Sequence, residues 1–207
     1  MKIHSVTLSA MLVAAVGLSA SRAAAAESEK PASRPADAPS MEEVMKKWEA
    51  VATPGPAHKT LEAFVGDWNV SSKWWMVPDA PPAESKGTSK VSAILGGRFV
   101  QEDYAGTFMG KPMKGMGLTG YDNFKKKYVS LWVDDAGTAM FTSEGTADPD
   151  GKVFTFLGKM DDPLSGEKDK AVKYVIRLVG PDKRVFEMHE LARGAKSLVA
   201  EMTYTRK

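Results

Sequence analysis

The sequence contains no cysteine, which excludes a disulfide framework, a thiolate metal site, a cysteine nucleophile and a lipid anchor through that side chain. Histidine is scarce, at three in 207 residues, so a histidine-rich metal cluster has little to draw on. A transmembrane helix needs roughly 20 apolar residues, and the apolar run at residues 8–20 is too short for one. The charge has no dominant sign, with 28 Lys and Arg against 26 Asp and Glu. One basic run, Lys125-Lys126-Lys127, sits beside a turn and reads as a solvated edge. A nucleic-acid binder shows a basic patch or stripe, so nucleic acid is not an expected partner.

What is present points to one core and an export signal. Residues are 43% hydrophobic, enough for a single domain of this length. Lys2, the apolar run and the small residues Ala23 to Ala26 have the layout of a secretory signal peptide over 1–26. Losing Lys2 and Arg22 balances the basic and acidic residues. The expected location is therefore secreted or periplasmic, with no transmembrane segment after cleavage.

Residues 27–40 are rich in Pro, Ala and Ser and read as a flexible tether. Ser40 and Glu43 form an S-x-x-E capping box that opens a helix over 41–52, with Val44, Met45, Trp48 and Val51 on one face. Thr53-Pro54-Gly55-Pro56 breaks it. A second helix is expected over 57–65, with Gly66 as its C-cap.

From residue 66 to the end of the chain at 207 the period is two. Ten candidate strands follow, over 67–76, 87–95, 98–109, 113–121, 127–134, 138–147, 152–160, 171–179, 184–191 and 197–206. Turn residues such as Gly96-Gly97, Gly110-Lys111-Pro112 and Gly180-Pro181-Asp182 separate them. Short strands with tight connections and no intervening helix exclude a parallel α/β sheet. The fold class is all-β, an antiparallel up-and-down barrel of about ten strands, which removes exposed sheet edges. The fifth strand is apolar on both faces, so its outside should be covered, and the N-terminal helices are the candidates.

Several motifs have a bland reading that outranks the chemical one. Gly115-x-Gly117-x-x-Gly120 matches the dinucleotide fingerprint, but no helix follows it; glycines in a barrel strand mark bends or close packing. Ser165-x-x-Lys168 lies in a polar loop without supporting motifs. His58 and Glu62 are spaced to share a metal on a helix, although a cap or surface hydrogen bond explains them as well. No metal or cofactor is expected; His189 in the barrel wall is the one candidate haem ligand, and an ordinary hydrogen-bonded histidine ranks ahead of that. Glu102 and Glu144 share strand parity with apolar neighbours, and Arg98 or Arg206 could partner a carboxylate buried there.

Gly66-Asp67-Trp68 on the first strand, with Arg206 ending the last, resembles the calycin (lipocalin-type) signature. In that superfamily a G-x-W tryptophan packs against a basic residue near the closed end of the barrel. The sequence is also similar to the bacterial family called domain of unknown function 1579. The resemblance is carried by Pro56-Ala57-His58-Lys59, Gly66-Asp67-Trp68, Leu95-Gly96-Gly97-Arg98-Phe99, Gly120-Tyr121-Asp122-Asn123, Trp132-Val133-Asp134, Glu144-Gly145 and Tyr204-Thr205-Arg206. It implies a barrel and brings no established reaction.

Three functions stay open. The preferred one is binding of a small hydrophobic or amphipathic molecule in the barrel. Trp74, Tyr104, Tyr174, Met202 and Tyr204 would line the site, and Arg98, Glu102 and Glu144 would orient a polar end. The second is an enzyme using Glu144 or Asp134 as general base with Tyr121 or His189 as proton donor. The third is a filled barrel acting as an interaction module through Trp48 and the helices.

Overall fold

The structure, a computed structural model, describes residues 38–163 and 165–207. The expected signal peptide and most of the tether lie outside the described residues. Helix α1 (Met41–Ala52) starts at the capping box: Ser40 Oγ accepts from the Glu43 N–H at 3.1 Å, and the Glu43 carboxylate accepts from the Ser40 N–H at 2.6 Å. No residue of α1 is buried, and Met41, Met45 and Trp48 stand exposed. Its C-terminal end is tied to the barrel. Arg98 Nε donates to the Ala52 carbonyl at 3.1 Å, and Asn123 Nδ2 donates to the Val51 and Thr53 carbonyls at 3.0 and 2.8 Å.

The second helix is shorter than the pattern predicts. Pro56 starts α2 (Pro56–Lys59), and His58 Nδ1 accepts the Gly55 N–H at 3.0 Å. The chain then tightens into a 3-10 segment, Thr60–Phe64, which ends at Val65. Gly66 is therefore not the cap; it opens the first strand at a φ of 138°.

Ten antiparallel strands follow among the described residues: β1 (Gly66–Trp74), β2 (Ala83–Ile94), β3 (Phe99–Phe108), β4 (Lys111–Asp122), β5 (Lys127–Asp134), β6 (Phe141–Ala147), β7 (Val153–Asp162), β8 (Glu167–Gly180), β9 (Lys183–Glu190) and β10 (Leu198–Arg206). Each pairs with the next, and β10 closes on β1 with Trp68 opposite Arg206 and Trp74 opposite Ala200. Closure leaves every interior strand edge paired, so backbone donors and acceptors are satisfied within the wall.

The α2 turn and the 3-10 segment plug one end of this barrel. Leu61 and Phe64 are buried, and the Phe64 ring meets Phe154 edge-on at 5.1 Å. Tyr128 packs on the other side of Phe154 at the same separation, its hydroxyl 2.7 Å from Thr60 Oγ1. The core is concentrated at this end, in Trp68, Val70, Val91, Val100, Tyr128 and Phe154.

The helices do not cover the outside of β5, contrary to the sequence expectation. Leu61 and Phe64 go into the end of the barrel, and Met41, Met45 and Trp48 on α1 face solvent. Val129 and Leu131 on the outer face of β5 instead join Phe99, Leu118, Met140 and Leu157 in an open groove of about 620 Å³ on the outer wall.

Candidate functional site

Strand parity and register place one set of side chains inside the barrel. Glu102 on β3 lies opposite Val91 of β2 and Gly117 of β4, and Gly117 lies opposite Trp132 of β5. Tyr104 is two residues on, opposite Ser89 and Gly115. Across the barrel, Tyr174 of β8 faces inward between Phe156 and Met188, with Met202 of β10 beside Phe186. Trp132, Tyr174, Met188 and Met202 are only partly buried, and the Glu102 side chain keeps 20% exposure. These inward side chains therefore keep some contact with solvent.

Two inward rings lie against the wall instead of projecting. A Cβ at Gly115 would come within 2.3 Å of the six-membered ring of Trp132, and one at Gly117 within 3.3 Å of the same ring. The Trp132 Nε1–H donates to Asp134 Oδ2 at 2.8 Å, which pins the indole edge to its own strand. Tyr104 covers two more glycines: a Cβ at Gly87 would stand 2.6 Å from its hydroxyl, and one at Gly106 would overlap the phenol. The glycines remove the side chains that would push these rings inward, so aromatic surface is gained without filling the lumen. The Gly115 and Gly117 of the nucleotide-like motif are packing residues here.

One buried polar cluster faces this space. Ser89 Oγ donates to Glu102 Oε1 at 2.6 Å, and Arg184 Nη2 lies 3.6 Å from Glu102 Oε2. Arg184, only 4% exposed, is wedged among the rings of Tyr204, Phe64 and Trp68, with its guanidinium carbon 4.0, 5.1 and 5.1 Å from their centroids. Its Nε and Nη2 find no hydrogen-bond partner among the described residues. Burial, and then the Glu102 charge, push the Tyr204 phenol well above its ordinary value and raise Tyr104 as well. Burial alone pushes Tyr174 up to about 12.

At the end away from the plug a second ionic cluster joins β7, β8 and β9. The buried Lys170 ammonium reaches Glu190 at 2.5 Å and Asp162 at 3.0 Å, and these hydrogen bonds raise its pKa. Arg193 reaches the same Glu190 at 2.8 Å. The cluster is internally paired and crosslinks neighbouring strands at this end.

At the plugged end, Arg206 lies over the Trp68 ring at 4.3 Å and donates to the Val65 carbonyl at 2.9 Å. The family model for "Protein of unknown function (DUF1579)" matches residues 53–206. The chain belongs to this family. As the family's description states, no function comes with membership. No curated protein matches the chain. Among solved structures, the DUF1579 barrel is similar to Rv2717c from M. tuberculosis, at 15% identity and a TM-score of 0.52, covering 75% of this chain and 99% of that one. A redesigned beta barrel, b11L5F_LGL, overlaps at 14% identity and a TM-score of 0.37, covering 73% of this chain and 95% of that one. The first likeness shows the barrel fold alone.

Within the DUF1579 barrel the sequence-derived candidates divide. Trp74, Glu102, Tyr104, Tyr174, Met202 and Tyr204 all lie on inward positions, with Trp74 near the rim against Phe108 at 5.1 Å. Arg98 does not: it belongs to the β2–β3 turn, and Nη1 donates back to the Leu95 carbonyl at 3.1 Å. Glu144 is also outside. The register sets Gly145 and Ser143 inward, and Glu144 pairs with Lys125 at 2.6 Å and Lys127 at 3.2 Å on the surface. These two lysines hold its carboxyl below the usual range. Met140, the apolar neighbour that orients Glu144 inward by parity, precedes β6 and is itself exposed, so it does not share the register of Glu144.

The proposed acid–base partners are not brought together. Asp134 ends β5 at the far end, Tyr121 sits beside the plug against His58 and Tyr128, and His189 is on the outer wall with Ser197 and Glu187. An outward His189 cannot reach a group in the lumen. Among the described residues no cluster of three His, Asp or Glu side chains is arranged for a metal. Sequence reasoning missed Ser89, Trp132 and Arg184. The glycines opposite Trp132 were the signal for it, and the parity of Arg184 with Phe186 and Met188 was the signal for the arginine.

Proposed function

We propose that the chain is an exported β-barrel that binds one small, largely hydrophobic molecule in its lumen. The observation that carries this reading is the pair of rings held against glycine-lined wall, Trp132 over Gly115 and Gly117 and Tyr104 over Gly87 and Gly106, with the partly exposed Glu102 carboxylate beside them. A barrel built to be solid has no need of this arrangement, because side chains at those four positions would fill it. An apolar, aromatic lining with a few convergent polar groups is what small-molecule sites share.

The test uses the full chain and N-phenyl-1-naphthylamine, a small apolar fluorophore. Saturable, one-to-one fluorescence enhancement, together with an organic mass that co-purifies in native mass spectrometry, supports the reading. A linear or absent fluorescence response overturns it. Export is tested separately by the N-terminus of the protein recovered outside the cytoplasm; a chain beginning at Glu27 supports release, and one retaining Met1 contradicts it.

Self-association is the second reading. The exposed stripe of Met41, Met45 and Trp48 on α1 and the outer groove beside β5 are two unpartnered apolar surfaces on one chain. Sedimentation velocity across a range of concentrations tests it: a single monomeric boundary throughout removes this reading.

A further inference from the structure

Resting on the lumen reading, the geometry points to a more specific ligand class: a neutral, mainly apolar molecule carrying a hydrogen-bond donor, an alcohol or an N–H group, in preference to a carboxylate of the fatty-acid type. The partly exposed charged group of the Ser89–Glu102–Arg184 cluster is an acceptor. An ionised carboxylate has no donor and about four lone-pair directions. Ser89 occupies one direction on Glu102 Oε1 at 2.6 Å, and Arg184 stands off Oε2 at 3.6 Å, beyond direct hydrogen bonding. The Glu102 side chain is 20% exposed, so part of its acceptor capacity is open to an occupant of the barrel.

The arginine does not offer itself to a ligand in the same way. Its Nε and Nη2 are shielded from solvent, and three aromatic rings enclose the guanidinium. Its charge lies behind the carboxylate and balances it. The pair then carries no net charge toward the lumen.

That balance decides the ligand's own charge. A ligand carboxylate would set acceptor against acceptor and leave one uncompensated negative charge in a largely apolar space, which is costly. A ligand ammonium would leave the opposite excess beside Arg184. A hydroxyl or N–H donates to Glu102 and keeps the sum at zero. Tyr104, Trp132, Tyr174, Met188 and Met202 provide the apolar remainder.

The experiment displaces N-phenyl-1-naphthylamine from the full chain near neutral pH with 1-decanol, decanoate and decylamine, three ligands with the same alkyl chain. The alcohol is expected to displace the probe at concentrations about tenfold or more below either ion, the scale of one hydrogen bond to a charged group. The decanol preference over decanoate is expected to narrow in E102Q, which removes the charge and leaves the shape; that comparison separates site chemistry from the greater water solubility of the ions. Decanoate displacing as well as decanol, or a preference unchanged in E102Q, overturns the inference while leaving the lumen reading intact. Failure of the probe to bind at all overturns both. Should E102Q not fold, the wild-type preference is set against the partition of the same two ligands between water and a lipid vesicle at that pH, and a preference no greater than theirs overturns the inference.

Discussion

The Arg206 guanidinium stacks on the Trp68 indole at 4.3 Å, and each side chain also holds the segment that enters the barrel. Trp68 Nε1 donates to the Phe64 carbonyl and Arg206 Nη1 to the Val65 carbonyl, both at 2.9 Å. The last strand, the first strand and the plug are thereby fastened at one point. Gly66 has no alternative there, since a Cβ would overlap the Arg206 guanidinium at a backbone φ of 138°. Arg206→Ala removes the stack and leaves a partly buried carbonyl unpaired, at an expected cost of about 1–3 kcal/mol. Urea unfolding should show a lower midpoint with an unchanged slope. An unmoved midpoint would mean that closure does not depend on this contact.

Gly115→Val is expected to close the lumen without unfolding the barrel. The new side chain takes the place of the Trp132 ring, which must swing inward. Far-UV circular dichroism should stay near wild type while naphthylamine uptake falls about tenfold or more, the scale of a lost apolar contact surface. Uptake at the wild-type level would show that the probe sits elsewhere.

Tyr174 in the lumen is expected to weaken the fold at alkaline pH. Tyr174 is raised to about 12 by burial, against about 10 when unfolded, so the folded state holds its proton longer than the unfolded one. Its contribution is complete below pH 10 and is lost as pH climbs from 10 toward 12. The thermal midpoint of wild type should fall over that window, and Tyr174→Phe should fall less. Parallel curves for the two proteins would contradict the assignment.

Arg98→Ala and Glu144→Ala are expected to leave naphthylamine affinity within about twofold of wild type, a difference of a few tenths of a kcal/mol in binding. Both side chains face away from the lumen. A tenfold loss in either variant would return them to the site, and titration of the purified variants decides it.

The barrel was legible because alternation survives in most strands. Trp68, Val70 and Ser72 on β1 and Ala200, Met202 and Tyr204 on β10 announce a closed, half-buried wall, although a bulge after Leu198 puts that residue on the other face. The plug was not legible. Residues 57–65 carry a helical stripe, and nothing local says that Leu61 and Phe64 enter the end of a barrel instead of lying on its side. Glu102 was readable from parity because β3 is regular around it. Glu144 was misread because the parity was counted from a residue outside its strand. Parity puts Arg184 on the face of Phe186 and Met188 but says nothing of what it meets there. Its partners, Glu102 and the rings of Phe64 and Trp68, are distant in sequence, and only closure of the barrel brings them together.

A crystal structure of the full chain with N-phenyl-1-naphthylamine tests the central claim most directly. The fluorophore is expected inside the barrel, against the lumen faces of Trp132 and Tyr104, with its N–H on Glu102. Density in the outer groove against Leu131 and Met140, above a lumen without the fluorophore, would contradict it.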